Sequence, residues 1–424
     1  MKVTKKTEEK VMKKFLSILL ALIMVVSCVS VLASCGKDKE QGDGKDTDTK
    51  QTETGKDTEA PETKVDMRVA MITDYGDITD ESFNQATYTG ASEWCTANGV
   101  DFKYYKPTGE TTADRIAMVD SAIDEGYNVI VMPGYAFAET IVECTEANPD
   151  IKFVALDVAK GDILSAALGD EYDWNPDNWK VEDYYYEDNV FCAVYQEELA
   201  GYMAGYAAVK EGYKHLGFLG GQAVPAVVRY GYGYVQGIND AAKELGIAND
   251  VKVEYVYGNQ FYGDADITAY MDTWYTTKGV EVVFACGGGI YSSAAEAAAK
   301  VGGKVIGVDN DQHVVIDGYG AGMTVTSAMK GLAATVKTVL GDIRNGKWAD
   351  YAGKIETLGL VSGDDPTLNY VQLPIASWTM TNFTVDDYKD LVKKMYEGTI
   401  TVSADTSVEP TTEVAVEYAG KIKG

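Results

Sequence analysis

From Asp66 onward, short apolar runs alternate with longer amphipathic stretches, and this alternation narrows the fold more than any other feature of the chain. "MRVAMI", "YNVIVMPG", "IKFVALD", "HLGFLGG", "VEVVFACGGG" and "KVIGVDND" are apolar over strand lengths. Between them, "SFNQATYTGASEWCTANG", "TADRIAMVDSAIDEG" and "RYGYGYVQGINDAAKELG" have the spacing and closing glycines of helices. A strand that is apolar without interruption is covered on both faces, as in parallel sheets. Repeated βαβ alternation therefore predicts an α/β fold with parallel sheets flanked by helices, and there is material for two such units. The stretch "DEYDWNPDNWKVEDYYYEDN", Asp170 to Asn189, breaks the pattern and reads as an acidic, aromatic insertion at or near a junction between the units.

In open parallel sheets, ligands bind outside the carboxyl ends of the strands. The residues that close the expected strands are Asp74, Gly134, Asp157, Gly220, the segment 259–261, Gly287 and Asp309. If two units face each other, these residues point into one space, which favours a single ligand held between lobes. The densest stretch is "MITDYGDITDESFNQ", where Asp74, Asp77, Asp80 and Glu81 precede Phe83 and Asn84. A calcium loop would alternate its ligands by two and place glycine sixth, whereas these aspartates are spaced by three. A phosphate cradle needs a lysine that "GGGIYSS" lacks. A catalytic carboxylate pair would need a base or metal cluster beside it, and none is evident. The expectation is a binding wall with no catalytic residue, no metal and no cofactor, in which Asp74 at the strand end faces the ligand and Asp77, Asp80 and Glu81 shape the turn into the helix.

The beginning of the chain speaks to location. Lys13 and Lys14 precede an apolar run from Phe15 to Ala33, the pattern of a secretory signal over residues 1–34. Leu32-Ala33-Ser34-Cys35 resembles the bacterial lipobox, which implies cleavage before Cys35 and a diacylglycerol on its thiol. Residues 35–65 are polar and poor in apolar side chains, so they are expected to be a disordered tether. Two acyl chains suffice for stable anchoring. The expected location is therefore extracytoplasmic, lipid-anchored to a bacterial cell membrane. Residues 1–34 hold six lysines and two glutamates, so their removal takes the net charge from −28 to −32. Such acidity argues against nucleic acid as a partner. Cys95, Cys144, Cys192 and Cys286 stand singly and read as buried free thiols.

"TDYGDITDESFNQATYTG", "HLGFLGGQAVPAVVRYGYGYVQG", "VEVVFACGGGIYSSAAEAA", "VIGVDNDQ" and "TVTSAMKG" follow one another in an order that resembles the basic membrane protein family of lipoproteins. These are the purine nucleoside receptor A-like substrate-binding subunits of ABC transporters. The resemblance runs from about Met67 to Thr401. It implies a type I periplasmic-binding-protein fold, with two Rossmann-like lobes joined by a three-strand hinge and closing on a nucleoside. The lobes are expected at 66–190 with 327–347 and at 191–326 with 348–400, followed by a tail at 401–424. Carried over by position, Phe83 resembles the aromatic that stacks on the base, with Asn84 beside it, and Phe261 its partner from the other lobe. Asp74 and Asp157 resemble the groups that bond base or sugar; Asp309 and Lys330 resemble the ribose contacts. Lys330 is expected to open a helix, and "CGGGIYSSA" to bring Tyr291 near the cleft.

Elementary chemistry agrees. A nucleoside offers a flat π-face at one end and a vicinal diol at the other. Aromatic stacking contributes roughly 1–3 kcal/mol per base, and carboxylates make charge-assisted bonds to N–H and O–H donors. Three carboxylates with one lysine would repel a phosphate. The expected function is capture of a nucleoside, purine by preference, by a monomer that delivers it to ABC permease and ATPase subunits. The alternative is a surface receptor or sensor module for a sugar-like or signalling molecule.

Overall fold

The computed structural model describes residues 64–424. The signal, Cys35 and most of the tether lie outside the described residues. Among the described residues no helix is long and apolar enough to cross a membrane.

The fold is α/β, and both sheets repeat one strand order. In the first lobe β1 (Arg68–Ile72), β2 (Asp101–Tyr105), β3 (Val129–Pro133), β4 (Lys152–Leu156), β5 (Val190–Tyr195) and β11 (Lys354–Leu358) form a parallel sheet. Its order is β11-β5-β4-β3-β1-β2. In the second lobe β6 (His215–Gly220), β7 (Lys252–Tyr257), β8 (Val282–Cys286), β9 (Lys304–Asp309) and β10 (Thr324–Lys330) do the same. The short antiparallel β12 (Val371–Gln372) joins at one edge and β13 (Ala415–Lys421) at the other, in the order β12-β10-β9-β8-β6-β7-β13. Every residue of β3, β5 and β8 is buried, which is why these strands read as unbroken apolar runs. The order reverses beside β1 in one sheet and beside β6 in the other. Such switch points open a crevice where neighbouring crossovers leave in opposite directions.

The helices follow the expected pattern. α1 (Phe83–Asn98) ends at Gly99, whose φ of +63° supplies the left-handed cap. α2 (Thr112–Asp124), α3 (Ala138–Cys144) and α4 (Lys160–Leu168) complete the first lobe's crossovers. In the second lobe α5 (Glu197–Glu211) and α6 (Pro225–Glu244) lie nearly backbone to backbone. A methyl group on Gly201 or Gly205 would run into the Tyr230 or Tyr234 carbonyl, and one on Gly233 or Gly237 into the Glu198 or Tyr202 carbonyl. α7 (Ala265–Thr273), α8 (Tyr291–Ala299) and α9 (His313–Asp317) follow. α10 (Leu332–Arg344) returns to the first lobe, where Ala333 packs on Gly90 of α1. α11 (Val385–Tyr396) covers the second lobe through the buried Tyr388, whose hydroxyl accepts from the Leu373 N–H at 2.8 Å.

The chain crosses between lobes three times, at Gln196, at Gly331 and between Leu358 and Val371. The crossings are tied together: the N–H of Gln196 donates to the Leu358 carbonyl at 2.9 Å, that of Gly331 to Tyr370 at 2.7 Å, and that of Tyr370 to Gly359 at 3.0 Å. These pairings correct the expected boundaries. Residues 191–195 complete β5 of the first sheet. Residues 327–330 belong to β10 of the second, and 354–358 to the first. Residues 415–421, expected in a tail, are an edge strand. Hydrogen bonding to a neighbouring strand decides lobe membership, and a single apolar run does not say which sheet will accept it. The 170–189 insertion stays on the first lobe as a series of short turns, with the Tyr172 hydroxyl against Gly161 of α4 and Tyr185 bonded to Thr145 at 2.9 Å.

Candidate functional site

Between the lobes lies a cavity of about 620 Å³, lined by residues from both. All seven expected contacts, Asp74, Phe83, Asn84, Asp157, Phe261, Asp309 and Lys330, line it. Tyr291 does not; the glycines before it, Gly287 to Gly289, do.

Asp74 follows β1 and Gly134 follows β3, so both stand at the first sheet's switch point. The Asp74 carboxylate is buried and accepts from the Gly76 N–H at 2.7 Å and from Asn84 Nδ2 at 3.3 Å. Burial pushes its pKa up to about 6, against the pull of those donors. Asp80 serves the turn: its carboxylate accepts from the N–H groups of Ser82 and Asn84 at 2.9 Å and of Gln85 at 3.1 Å. It thus satisfies the free donors at the start of α1 and aims Phe83 and Asn84 at the cleft. Asp77 pairs with Lys106 at 2.5 Å, and both also line the cavity.

Asp157 and Asp309 end β4 and β9 with left-handed φ of +58° and +62°. Aspartate tolerates this conformation better than most residues, and it turns both carboxylates off the strand ends toward Lys330. Lys330 is the last residue of β10 and does not open a helix as expected; α10 begins two residues later. Its buried ammonium lies 2.6 Å from Asp157 Oδ2, 3.1 Å from Glu197 Oε1 and 4.0 Å from Asp309 Oδ1. It also sits 5.2 Å over the Phe83 ring. Ser82 Oγ donates to Asp309 Oδ2 at 2.6 Å.

Glu197 was not anticipated, although it organises this cluster. It is fully buried at the start of α5, where the glycine-lined contact with α6 brings Arg229 Nε to 2.6 Å. Burial pulls its carboxyl up, but Arg229 and Lys330 outweigh that and hold it below the usual range. At Asp157 the balance reverses, and burial raises the carboxyl to about 7 despite Lys330. Burial raises Asp309 as well. The paired glutamates "QEE" at a helix start were a signal for a dipole cap, with nothing local to reveal the cations.

Phe261 lies in the loop after β7, with its ring against Gly221 and Gly287. A second unanticipated residue, Tyr75, faces it across the cleft: the rings are 6.3 Å apart and inclined by 20°. The Tyr75 hydroxyl bonds that of Tyr135 at 2.9 Å, which in turn reaches Gln222 of the other lobe at 3.4 Å. Its position next to Asp74 was the available clue. Two buried acceptors that line the cleft, Asn84 Oδ1 and Asp157 Oδ1, make no hydrogen bond within the described protein.

Residues 67–403 match the model of the Bmp family, described as "ABC transporter substrate-binding protein PnrA-like". The chain belongs to this family. Among curated Bmp relatives, the "ABC transporter nucleoside-binding protein BmpA" of Lactococcus lactis is 26% identical over 318 residues, which cover 71% of this chain and 81% of the relative. Basic membrane protein B of Borreliella burgdorferi is 24% identical over 315 residues, covering 70% and 79%. Solved ABC solute-binding proteins share the fold. One from Aeropyrum pernix superimposes with a TM-score of 0.58 at 21% identity, covering 79% of this chain and 87% of that one. Another, from Conexibacter woesei, gives 0.58 at 20%, covering 80% and 99%. As a Bmp protein this chain is a substrate-binding component of an ABC transporter, in a family of binding proteins rather than enzymes. Some relatives carry the name lipoprotein.

Proposed function

We propose that the chain captures a nucleoside, purine by preference, between its lobes and delivers it as a monomer to an ABC importer, held to the membrane by a lipid on Cys35. The observation that carries this reading is the presence of two chemistries side by side in one cleft. Aromatic rings (Tyr75, Phe83, Phe261) suit a flat base, and the carboxylates of Asp157 and Asp309 beside Lys330 suit a vicinal diol. The unpaired acceptors on Asn84 and Asp157 match the N–H and O–H donors of such a ligand. Asp74 and Asn84 line the same cleft; Asp157 and Glu197 keep Lys330 charged, Glu197 without itself lining the cleft. The cavity is lined by seven carboxylates (Asp74, Asp77, Asp80, Glu110, Asp157, Asp162 and Asp309) against Lys106, Arg229 and Lys330, an excess of negative charge that disfavours a phosphate, so nucleosides are preferred to nucleotides. The Lactococcus relative, named a nucleoside-binding protein, supports the same ligand class. No bond of the ligand is broken, and the nucleoside leaves unchanged.

The test is calorimetric titration of the full chain in detergent, stripped of ligand by unfolding and refolding, with inosine, guanosine, adenosine, cytidine, uridine, ribose and AMP. Purine nucleosides are expected to bind far more tightly than ribose or AMP, and to be recovered intact after long incubation. Heat from ribose alone would overturn the ligand, and release of free base would overturn the binding role.

A further inference from the structure

Beyond residue 403, where the match to the family stops, the chain builds a support that ends at the cleft. Ser403 and Gln236 of α6 exchange two hydrogen bonds: the Ser403 N–H donates to Gln236 Oε1 at 2.9 Å, and Gln236 Nε2 donates to the Ser403 carbonyl at 3.0 Å. The Glu413 N–H donates to Asn239 Oδ1 at 2.7 Å, and Val414 is buried. β13 then runs parallel to β7, with the Tyr418 ring 5.0 Å from that of Tyr255. The register breaks between Tyr418 and Lys421, where Gly420 takes a φ of +71°. Only glycine adopts such a conformation without cost. This irregularity turns the strand end toward the loop that follows β7, and the Ile422 N–H donates to the Tyr257 carbonyl at 2.8 Å.

That loop carries Phe261 and is tied at its backbone to the neighbouring strand ends: the Gly258 and Asn259 N–H groups donate to the Gly220 and Gly221 carbonyls at 2.7 and 3.0 Å, and the Gly289 N–H to the Phe261 carbonyl at 2.8 Å. Glycines flank it at 258 and 263, Asn259 is left-handed at +63°, and the Phe261 ring rests on bare glycine backbone. Gln260 supplies the internal tie: its Nε2 donates to the Tyr262 carbonyl at 2.8 Å and to Asp264 Oδ2 at 2.9 Å. Lys423 closes the knot, donating to Gln260 Oε1 at 3.1 Å and pairing with the Asp264 carboxylate.

We propose that Lys423 is a positioning residue for ligand capture: through Gln260 and Asp264 it holds the 259–263 loop so that Phe261 stays opposite Tyr75, and so sets the affinity for a planar base. The inference rests on the nucleoside reading for its binding consequence, while the brace itself stands on the loop contacts. It assigns a role to a segment that lies outside the part of the chain shared with the family.

Lys423→Met and Lys423→Arg in the full chain test it with two readouts. Amide hydrogen exchange of residues 258–263 in the ligand-free protein is expected to quicken about tenfold or more in Lys423→Met and to return toward the parent rate in Lys423→Arg. The Kd for inosine is expected to rise about tenfold in the Met variant and to recover in the Arg variant. The ligand-free Tm should move by no more than about 3 °C, because the pair is partly exposed, its side chains keeping 29% and 26% of their surface. Unchanged exchange in Lys423→Met overturns the brace. Quickened exchange with an inosine Kd within twofold of the parent overturns its link to affinity. A parent chain that binds no nucleoside removes the ligand reading instead, and the exchange result still decides the brace.

Discussion

At the scale of single residues, the cleft is a problem in compensating buried charge. Lys330 and Arg229 face Asp157, Glu197 and Asp309, and burial keeps Asp157 near neutrality, with a pKa of about 7. If a ligand hydroxyl donates to this carboxyl, binding selects the ionised form and releases a proton. Affinity should therefore tighten as pH rises through about 7 and level off above it. Calorimetry in buffers of different ionisation enthalpy should detect that proton near the same pH, and Asp157→Asn should abolish the dependence. The sign is opposite for folding. Because the Asp157 carboxyl is raised, its contribution to stability is fully present below the ordinary carboxylate range and is lost as pH climbs through about 7. Glu197 offers a second check. In Glu197→Gln, Arg229 and Lys330 lose a buried counter-charge, a change that typically costs about 3 kcal/mol or more. Urea unfolding should show a lower midpoint at unchanged slope.

At the scale of elements, the site depends on how closely α5 and α6 can approach. Gly201, Gly205, Gly233 and Gly237 put backbone against backbone, and that closeness is what lets Glu197 at the start of one helix reach Arg229 near the start of the other. Gly233→Ala places a methyl group against the Glu198 carbonyl. Overpacking of this kind costs about 1–3 kcal/mol. It should also pull Glu197 away from Arg229, so the variant is expected to lose stability and nucleoside affinity together. A thermal melt and a titration on one sample would show both losses, and Asp80→Ala is expected to reach the same pair of losses from the other lobe. Losing the Asp80 bonds at the start of α1 should cost about 1–2 kcal/mol of stability and displace Phe83 and Asn84.

At the scale of the whole molecule, a polar seam joins the lobes beside the aromatic contact of Tyr75 with Phe261. Ser82 Oγ donates to Asp309 at 2.6 Å, Asn310 Nδ2 to the Ser82 carbonyl at 3.0 Å and Gln312 Nε2 to the Glu81 carbonyl at 3.0 Å. The Lys330–Asp157 pair also crosses between lobes. The hinge crossings are few, at Gln196, Gly331 and the 359–370 segment, the last carrying a 3-10 turn at Pro366–Leu368, and opening is expected to draw its dihedral changes from them. Asn310→Ala is expected to shift the ligand-free population toward open forms and weaken binding by the reduced fraction of closed molecules. Small-angle scattering should then show a larger radius of gyration without ligand and a normal one at saturation. An identical radius in both states would count against closure on the ligand.

Much of this was legible from sequence alone. The apolar period and the closing glycines determined strands, helices and the α/β class, because burial on both faces of a parallel strand leaves an unbroken apolar signature. Asp74, Asp157 and Asp309 could be picked out because each ends such a run, and the position of a strand's end is a local property. Lobe membership near the crossings, the place of Lys330 at a strand end, and the partners of Glu197, Tyr75 and Lys423 were decided only by the tertiary structure. Lys330 is separated by well over a hundred residues from Asp157 and Glu197, and Lys423 by a similar distance from Gln260. Pairing between residues so far apart leaves no period or motif in either segment. It exists only once two sheets have been brought face to face and each buried charge must find its counter-charge.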